Sequence, residues 1–299
     1  MAVPYSNSIA QALDGHLRIK ESNDWKYVED VRVKHSNSWQ DVKEVWVRHS
    51  GAWRLVHEGE HFLFNVTISG NSNTQWSLSS YISGQGYSGN KIKGAVTVNN
   101  VQQRMNLNNF SSDSKVYLRI NSNKRIVGAG GNGGNRGGNN GGNGQRALRS
   151  EGTRFIIDNG GIIAGGGGGG GGGNNSNCVY QNTNYFSCQK GQQCSELVQN
   201  QSPSAGGGGG GGAGYPGGSG GSGNQAGGNG QQWAGGGGGG NGGCGANSGG
   251  KGGDLGQVGQ NAINGGGTFG GAGLGIDGWS YRYSQSGNAD GDIRGGKIN

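Results

Sequence analysis

Apolar positions follow three regimes along the chain. Between residues 18 and 59 they alternate with polar ones inside a fourteen-residue repeat, whose copies read RIKESNDWKYVEDV, RVKHSNSWQDVKEV and WVRHSGAWRLVHEG. Each copy carries a strand-like run into a polar turn (Ser22-Asn23-Asp24, Ser36-Asn37-Ser38, Ser50-Gly51-Ala52), and a tryptophan then opens the next strand. The pattern predicts three β-turn-β units, each too small to bury a core by itself. Trp25, Trp39 and Trp53 hold equivalent places in them. From 60 to 127 the runs lengthen. Residues 62–69 (FLFNVTIS), 93–98, 116–120 and 125–127 read as strands of a small β domain, and the Gly- and Ser-rich stretch 81–90 reads as loop.

The third regime opens with FIIDNGGII at 155–163. Two β-branched runs around Asn159-Gly160 predict a hairpin. Nine consecutive glycines, 165–173, follow. Glycine loses the most backbone entropy on folding, so such a run orders only if its peptide groups gain partners. Polyproline II geometry supplies them: three residues per turn, no internal hydrogen bonds, and N–H and C=O groups pointing outward to parallel neighbours. The run would span about 28 Å. Further runs at 206–212 and 235–240, and looser ones elsewhere, place 66 of the 74 glycines at or beyond Gly128. Neighbouring glycine helices are therefore available. Collagen is excluded, because no Gly-X-Y period is sustained and the chain has only three prolines.

Composition narrows the function classes. At 29% hydrophobic residues, a single large apolar core is not expected, and stability must rest largely on backbone hydrogen bonds with small local cores. The net charge of +7 contains no run of five like charges, so no nucleic-acid partner is expected. No stretch is long and apolar enough to span a membrane, and the first fifteen residues do not read as a signal peptide. The cysteines, Cys178, Cys188, Cys194 and Cys244, lack paired C-x-x-C spacing, and a loop-stapling disulfide and free thiols remain equal alternatives. GANSGGK at 245–251 lacks the Ser/Thr of a phosphate-binding loop and has no strand before it. No nucleophile–base or carboxylate constellation stands out, so neither an enzyme nor a cofactor or metal site is expected.

Five interruptions break the glycine-rich part: 145–154, 174–205, 231–233, 254–264 and 279–293. Tyr, Trp, Asn, Ser and Gln presented on loops of a rigid scaffold have the composition of a recognition surface. The second and last interruptions are the richest. Tyr180, Tyr185, Phe186, Trp279, Tyr281 and Tyr283 are accordingly the candidate receptor contacts. Three quasi-equivalent tryptophan units suit the end of a threefold-symmetric partner, which makes Trp25, Trp39 and Trp53 candidates for docking on it.

The segment IVGAGGNGG from Ile126, then GTRFIIDNGGIIAGGGGGGGGG from Gly152, then alternating glycine runs and loops, closely resembles the receptor-binding adhesin at the tip of the long tail fibres of T-even-type bacteriophages. The strand FNVTISG is also similar to that family's middle domain. The resemblance covers residues 62–299. The first 60 residues depart from the family's attachment segment. The resemblance implies a non-enzymatic sandwich of packed polyglycine II helices whose loops bind an outer-membrane protein of the host, or its lipopolysaccharide, at the distal tip of a virion tail fibre. It also implies an N-terminus seated on a trimeric fibre protein. The expected fold is thus mostly β plus irregular, with three parts. Residues 1–60 form a fibre-attachment unit, 61–127 a β connector and 128–299 a polyglycine II receptor-binding domain. The rival readings are a fibre-capping or assembly protein without receptor contact, and a carbohydrate-active tail spike.

Overall fold

The computed structural model describes residues 18–21, 23–27, 31–42, 44–58, 61–187, 193–240, 243, 245–282 and 290–299. Strands dominate, with one short helix and long irregular segments. The three N-terminal repeats form three separate antiparallel hairpins. These are β1 (Arg18–Glu21) with β2 (Asp24–Tyr27), β3 (Arg32–His35) with β4 (Ser38–Asp41), and β5 (Glu44–His49) with β6 (Ala52–Glu58). Their loops are two residues long. Ser36, Asn37, Ser50 and Gly51 all have positive φ, which matches the right-handed twist of the strands they join. In each hairpin the tryptophan faces a cation across the ladder: Lys20 and Trp25, Lys34 and Trp39, Arg48 and Trp53.

The next strands wind into a three-sided parallel β-helix. One sheet stacks β7 (Phe62–Ile68), β9 (Ile92–Val98), β12 (Lys115–Ile120) and β15 (Arg154–Asn159). A second stacks β10 (Val101–Gln103), β13 (Arg125–Val127), β16 (Ile162–Ala164) and β20 (Asp292–Arg294). The third stacks β8 (Trp76–Ser77), β11 (Met105–Asn106), β14 (Leu148–Arg149), β19 (Ile276–Asp277) and β21 (Lys297–Ile298). The chain visits the sheets in turn, and the register aligns like with like. Val66, Val96, Leu118 and Ile157 form one ladder; Met105, Leu148 and Ile276 form part of another. These inward rows fill a single apolar core whose largest member is the fully buried Phe155.

Three expectations change here. FIIDNGGII is not a hairpin: β15 and β16 lie in different sheets, and Asn159-Gly160 turns a corner between them. Both flanking runs find parallel partners one rung away, so a local Asn-Gly signal yields to stacking. The stretch read as loop at 81–90 begins inside α1 (Leu78–Gly84). That helix is capped by the Ser77 hydroxyl and brings Leu78 and Ile82 into the core. The boundary expected at residue 127 is crossed by all three sheets, because β14, β15, β16, β19, β20 and β21 come from beyond it.

The glycine-rich segments leave the β-helix at one corner, between its second and third sheets. The chain departs after β13 and returns at β14, then departs after β16 and returns at β19. Among the described residues ten extended segments run back and forth across this domain: 128–136, 139–146, 165–173, 206–213, 216–223, 225–231, 234–240, 247–254, 257–262 and 267–274. Backbone hydrogen bonds at every third residue order them in three rows. The fifth, first and second segments make one row; the sixth, fourth, third and tenth the middle row; the seventh, eighth and ninth the last. The third segment is surrounded on six sides. All nine of its N–H groups donate in rotation to the second, fourth and ninth segments, save Gly165, which donates to Arg294 at the β-helix. Its carbonyls accept in rotation from the first, eighth and tenth. This is polyproline II packing in a hexagonal array, with every peptide group of the third segment paired.

The number of neighbours sets the sequence of each helix. A Cβ at Gly169 would overlap the Asn132 carbonyl, and each glycine from 165 to 173 meets backbone in the same way. The fourth helix is equally enclosed and equally uniform. Outer helices have one free side and carry a side chain there every third residue. Examples are Ala129, Asn132 and Asn135 on the first, Ser219 and Ser222 on the fifth, and Ser248, Lys251 and Asp254 on the eighth. The outward asparagines cap otherwise unpaired amides of the adjoining helix. Asn132 Oδ1 accepts from Ser219 N–H, Asn140 from Thr268, Asn143 from Gly271 and Asn229 from Gly220. A second apolar cluster, Val127, Ala164, Ala213 and Leu255 with Ile162 and Tyr215 against it, seals the lattice to the β-helix.

Candidate functional site at the loop end of the lattice

Because the lattice helices alternate in direction, their connections collect at two ends. One end abuts the β-helix and holds residues 214–215, 231–233 and 255–256. The other holds residues 137–138, 174–187, 193–205, 224, 243, 245–246 and 263–266. Gly137 N–H donates to Gly173, Asn224 N–H to Gly206, and Asn247 N–H to Asn174, which ties these connections together at the far end. Nine residues of polyproline II separate the ends, about 28 Å.

One far-end connection dwarfs the others. β17 (Ser176–Ser187) and β18 (Gln193–Ser204) form a two-stranded antiparallel ribbon, in register along all twelve residues. At about 3.4 Å per residue it is roughly 40 Å long. Among the described residues neither strand pairs with any other. Its base is pinned to the lattice: Asn175 Oδ1 accepts from Gly206 N–H at 3.0 Å and Ser204 Oγ donates to the Gly243 carbonyl at 2.7 Å. Tyr180, Tyr185 and Phe186 all lie on β17. The two-residue period puts positions 180 and 186 on one face and 185 on the other. The ribbon also bears on the cysteines. Cys178 faces Ser202 and Cys194 faces Phe186, eight rungs apart, far beyond disulfide reach of each other. Cys188 and Cys244 lie outside the described residues.

The last interruption goes elsewhere. Trp279 and Tyr281 form a short 3-10 turn directly after β19 and pack on the β-helix core. Cations flank the Trp279 ring, with the Arg282 guanidinium at 4.8 Å and the Lys297 amine at 4.6 Å from its centroid. Tyr283 lies outside the described residues. The six candidate receptor contacts are therefore not one cluster. Interruptions 145–154 and 279–293 carry the chain back to the β-helix; only 174–205 and part of 254–264 reach the loop end. Trp233 is accounted for at the junction, where the Arg125 guanidinium stacks 3.5 Å from its ring centroid and burial draws that guanidinium below its ordinary pKa.

Sequence reasoning missed two exposed apolar residues near the loop end. Ile263 and Phe269 flank the turn between the ninth and tenth helices, 57% and 42% exposed. The signal was present: both are large apolar residues at outward positions that elsewhere carry Asn, Ser or Gln.

The N-terminal hairpins make a second candidate surface. Trp39 and Trp53 are 67% and 66% exposed, and Val33, Trp46 and Val47 are exposed with them. The side chain of Trp25 lies outside the described residues. This is the densest run of exposed apolar side chains among the described residues, and exposed apolar clusters of this kind mark contact surfaces.

No curated protein matches the chain. Among solved structures, the chain is similar to one from the gp37–gp38 adhesin tip complex of the bacteriophage S16 long tail fibre. That similarity covers 81% of this chain and 84% of that one, at 21% identity and a TM-score of 0.45. The family model described as phage tail fibre adhesin Gp38 matches residues 63–298, which takes in the β-helix, the lattice and the ribbon. The chain belongs to the Gp38 family of phage tail fibre adhesins.

Proposed function

We propose that this adhesin binds a receptor on the outer membrane of its host, an outer-membrane protein, through the loop end of the lattice, and that the ribbon of β17 and β18 is the main contact element. The supporting observation is the separation of ends. One end of the lattice is sealed to the β-helix by Val127, Ala164, Ala213 and Leu255, and the long tyrosine-bearing ribbon of β17 and β18 emerges at the other. A rigid base of interlocked backbone holds that end, and neither strand of the ribbon pairs with a lattice segment among the described residues. Tyr180, Tyr185 and Phe186 carry the contact in this reading, joined by Ile263 and Phe269. Trp279 and Tyr281 are assigned to the core of the β-helix instead. The test is exchange of residues 176–204 with the equivalent ribbon of a relative that infects a different host. Host range should follow the ribbon. Unchanged host range would favour a fibre-capping protein without receptor contact.

The N-terminus attaches the adhesin to the fibre in the same proposal. Three hairpins in tandem, each with a tryptophan at the equivalent sequence position, match a fibre end built from three identical chains, so each hairpin can meet one copy of the same surface. Changing Trp39 and Trp53 to alanine should leave a folded protein that no longer copurifies with fibres. Removal of everything before His61 should do the same. Recovery of either variant on assembled virions would overturn the attachment role.

A further inference from the structure

The outer face of the third β-helix sheet and the edge of the lattice enclose a groove of about 560 Å³, lined by Arg104, Asn143, Gln145, Arg146, Leu274 and Asp277 among others. It lies on the flank of the molecule, independent of the loop end and of the function proposed for it. Three features of the groove are out of pattern.

Arg104 turns the corner between β10 and β11 with φ at +39°, in the left-handed region that side chains other than Gly, Asn and Asp adopt at a cost. Its guanidinium is held by neutral oxygens, Gln145 Oε1 at 2.6 Å and Gln75 Oε1. Among the described residues no carboxylate pairs with it. Nearby, Arg146 pairs with Asp277, and Arg149 stands 3.9 Å from the same carboxylate. Arg149 also pairs with Glu151 at 2.5 Å, so three guanidiniums stand beside two carboxylates, and Arg104 pairs with neither. Burial, and then the charge of Arg146, draw the Arg104 guanidinium below its ordinary pKa.

The backbone repeats the imbalance. Along the second helix Asn140 and Asn143 cap the amides of Thr268 and Gly271. The next step of three reaches Arg146, which has no acceptor to offer. The amide of Leu274, next in that row, has no acceptor among the described residues. The groove therefore converges donors and is short of acceptors.

We propose that this groove binds an anionic saccharide, a sugar carrying a phosphate or a carboxylate, with the oxyanion between Arg104 and Arg146. Guanidinium forks match both oxyanions in paired hydrogen bonds. The volume falls in the range of about 300–1,000 Å³ typical of small-molecule sites, far more than one oxyanion fills. The remaining wall includes the Asn143 and Gln145 side chains, the Asp277 carboxylate, the Gly/Ala backbone of 271–273 and the aliphatic Leu274 and Ile298. The polar groups suit hydroxyls, and the two aliphatic side chains suit the C–H face of a sugar ring.

The test is titration calorimetry on the full chain at low salt, using glucose 6-phosphate, glucuronate, glucose and inorganic phosphate as probes. At least one anionic sugar should bind, and glucose should bind more weakly by about tenfold or more, since each tenfold step is about 1.4 kcal/mol. Which anionic sugar binds better identifies the oxyanion. Arg104→Asn keeps a residue that tolerates the left-handed corner and should weaken the anionic sugar by a similar factor, with an unchanged melting curve. If that variant fails to fold, the wild-type salt dependence decides instead: affinity should fall steadily as salt rises. Absence of binding by either anionic sugar, binding indifferent to Arg104→Asn or to salt, or glucose binding as well as they do would overturn the proposal. Inorganic phosphate binding as tightly as glucose 6-phosphate would overturn the saccharide assignment.

Discussion

In the β-helix, backbones stack in rungs and the space inside them is filled by side chains such as Phe155, Leu118 and Ile126. In the glycine lattice the space itself is removed. The third helix buries nine residues without one side-chain carbon, and its hydrogen bonds run to six neighbours rather than two. The two regions share a corner of chain, yet their vulnerabilities are opposite. The β-helix is harmed by taking atoms away. The lattice is harmed by adding them. A lattice also has a grain that a sheet lacks, because only its enclosed helices demand unbroken glycine.

The largest expected effect comes from adding atoms at the centre. Gly169→Val places a branched side chain where the Asn132 carbonyl already sits, with lattice backbone on all sides. Overpacking in ordinary cores costs about 1–3 kcal/mol and occasionally more, because side chains can shift. Here only backbone is available to move, and each displaced strand breaks hydrogen bonds to several others. The glycine-rich domain should fail to fold, read as loss of its cooperative melting transition. A variant melting like the wild type would falsify the enclosed-helix description.

Taking atoms away from the β-helix comes next. Phe155 is completely buried, and Phe155→Ala should cost roughly 3–5 kcal/mol. The loss should appear as a lower denaturation midpoint with the fold retained. A loss as complete as that of Gly169→Val would mean that the two regions do not differ in the way described.

The contrast also explains what could be read in the sequence. The strands of the β-helix were legible at 62–68, 92–98, 115–120 and 125–127, because apolar residues alternate there with the pleat. Their closure into three sheets was not, since two-residue strands such as β11 and β19 carry no periodicity and are defined only by the rungs above and below. The same blindness turned a corner into a hairpin at Asn159-Gly160. The enclosed helices were legible because nine and seven consecutive glycines have no other physical use. The outer helices were not, because a Gly-Gly-X pattern such as GAGGNGGN makes sense only once one side faces solvent. At the candidate site, composition found the tyrosines of 174–205. It also gathered in Trp279 and Tyr281, because aromatic content looks the same whether a loop faces outward or lies against a core.

That ambiguity yields the third prediction. Tyr180→Ala with Tyr185→Ala should weaken adsorption to host cells by roughly 2 kcal/mol or more, the scale of a hot spot, with an unchanged melting curve. Trp279→Ala should do the reverse, lowering the melting temperature while folded protein adsorbs normally, since its ring packs on the core beside Arg282 and Lys297. Adsorption lost through Trp279 and kept without the two tyrosines would move the recognition surface to the β-helix end.

The smallest effect tests the grain of the lattice most sharply. The run at 235–240 looks like the central one in sequence, yet it forms an outer helix with neighbours on one side only. At Gly237 a Cβ would meet nothing within 4 Å, and the backbone there is not left-handed. Three residues earlier on the same helix stands Ala234, where the Gly-Gly-X pattern would place its side chain. Gly237→Ala should therefore be harmless, or stabilising by about 0.4–1 kcal/mol through the lower entropy of the unfolded chain. Gly238→Ala, one residue on, should be destabilising, because a Cβ there would overlap the carbonyl of Gly249 on the eighth helix. Melting temperatures of the two single variants decide the matter. Equal losses at both positions would mean that the glycine run is needed for a reason other than close approach of neighbouring backbones.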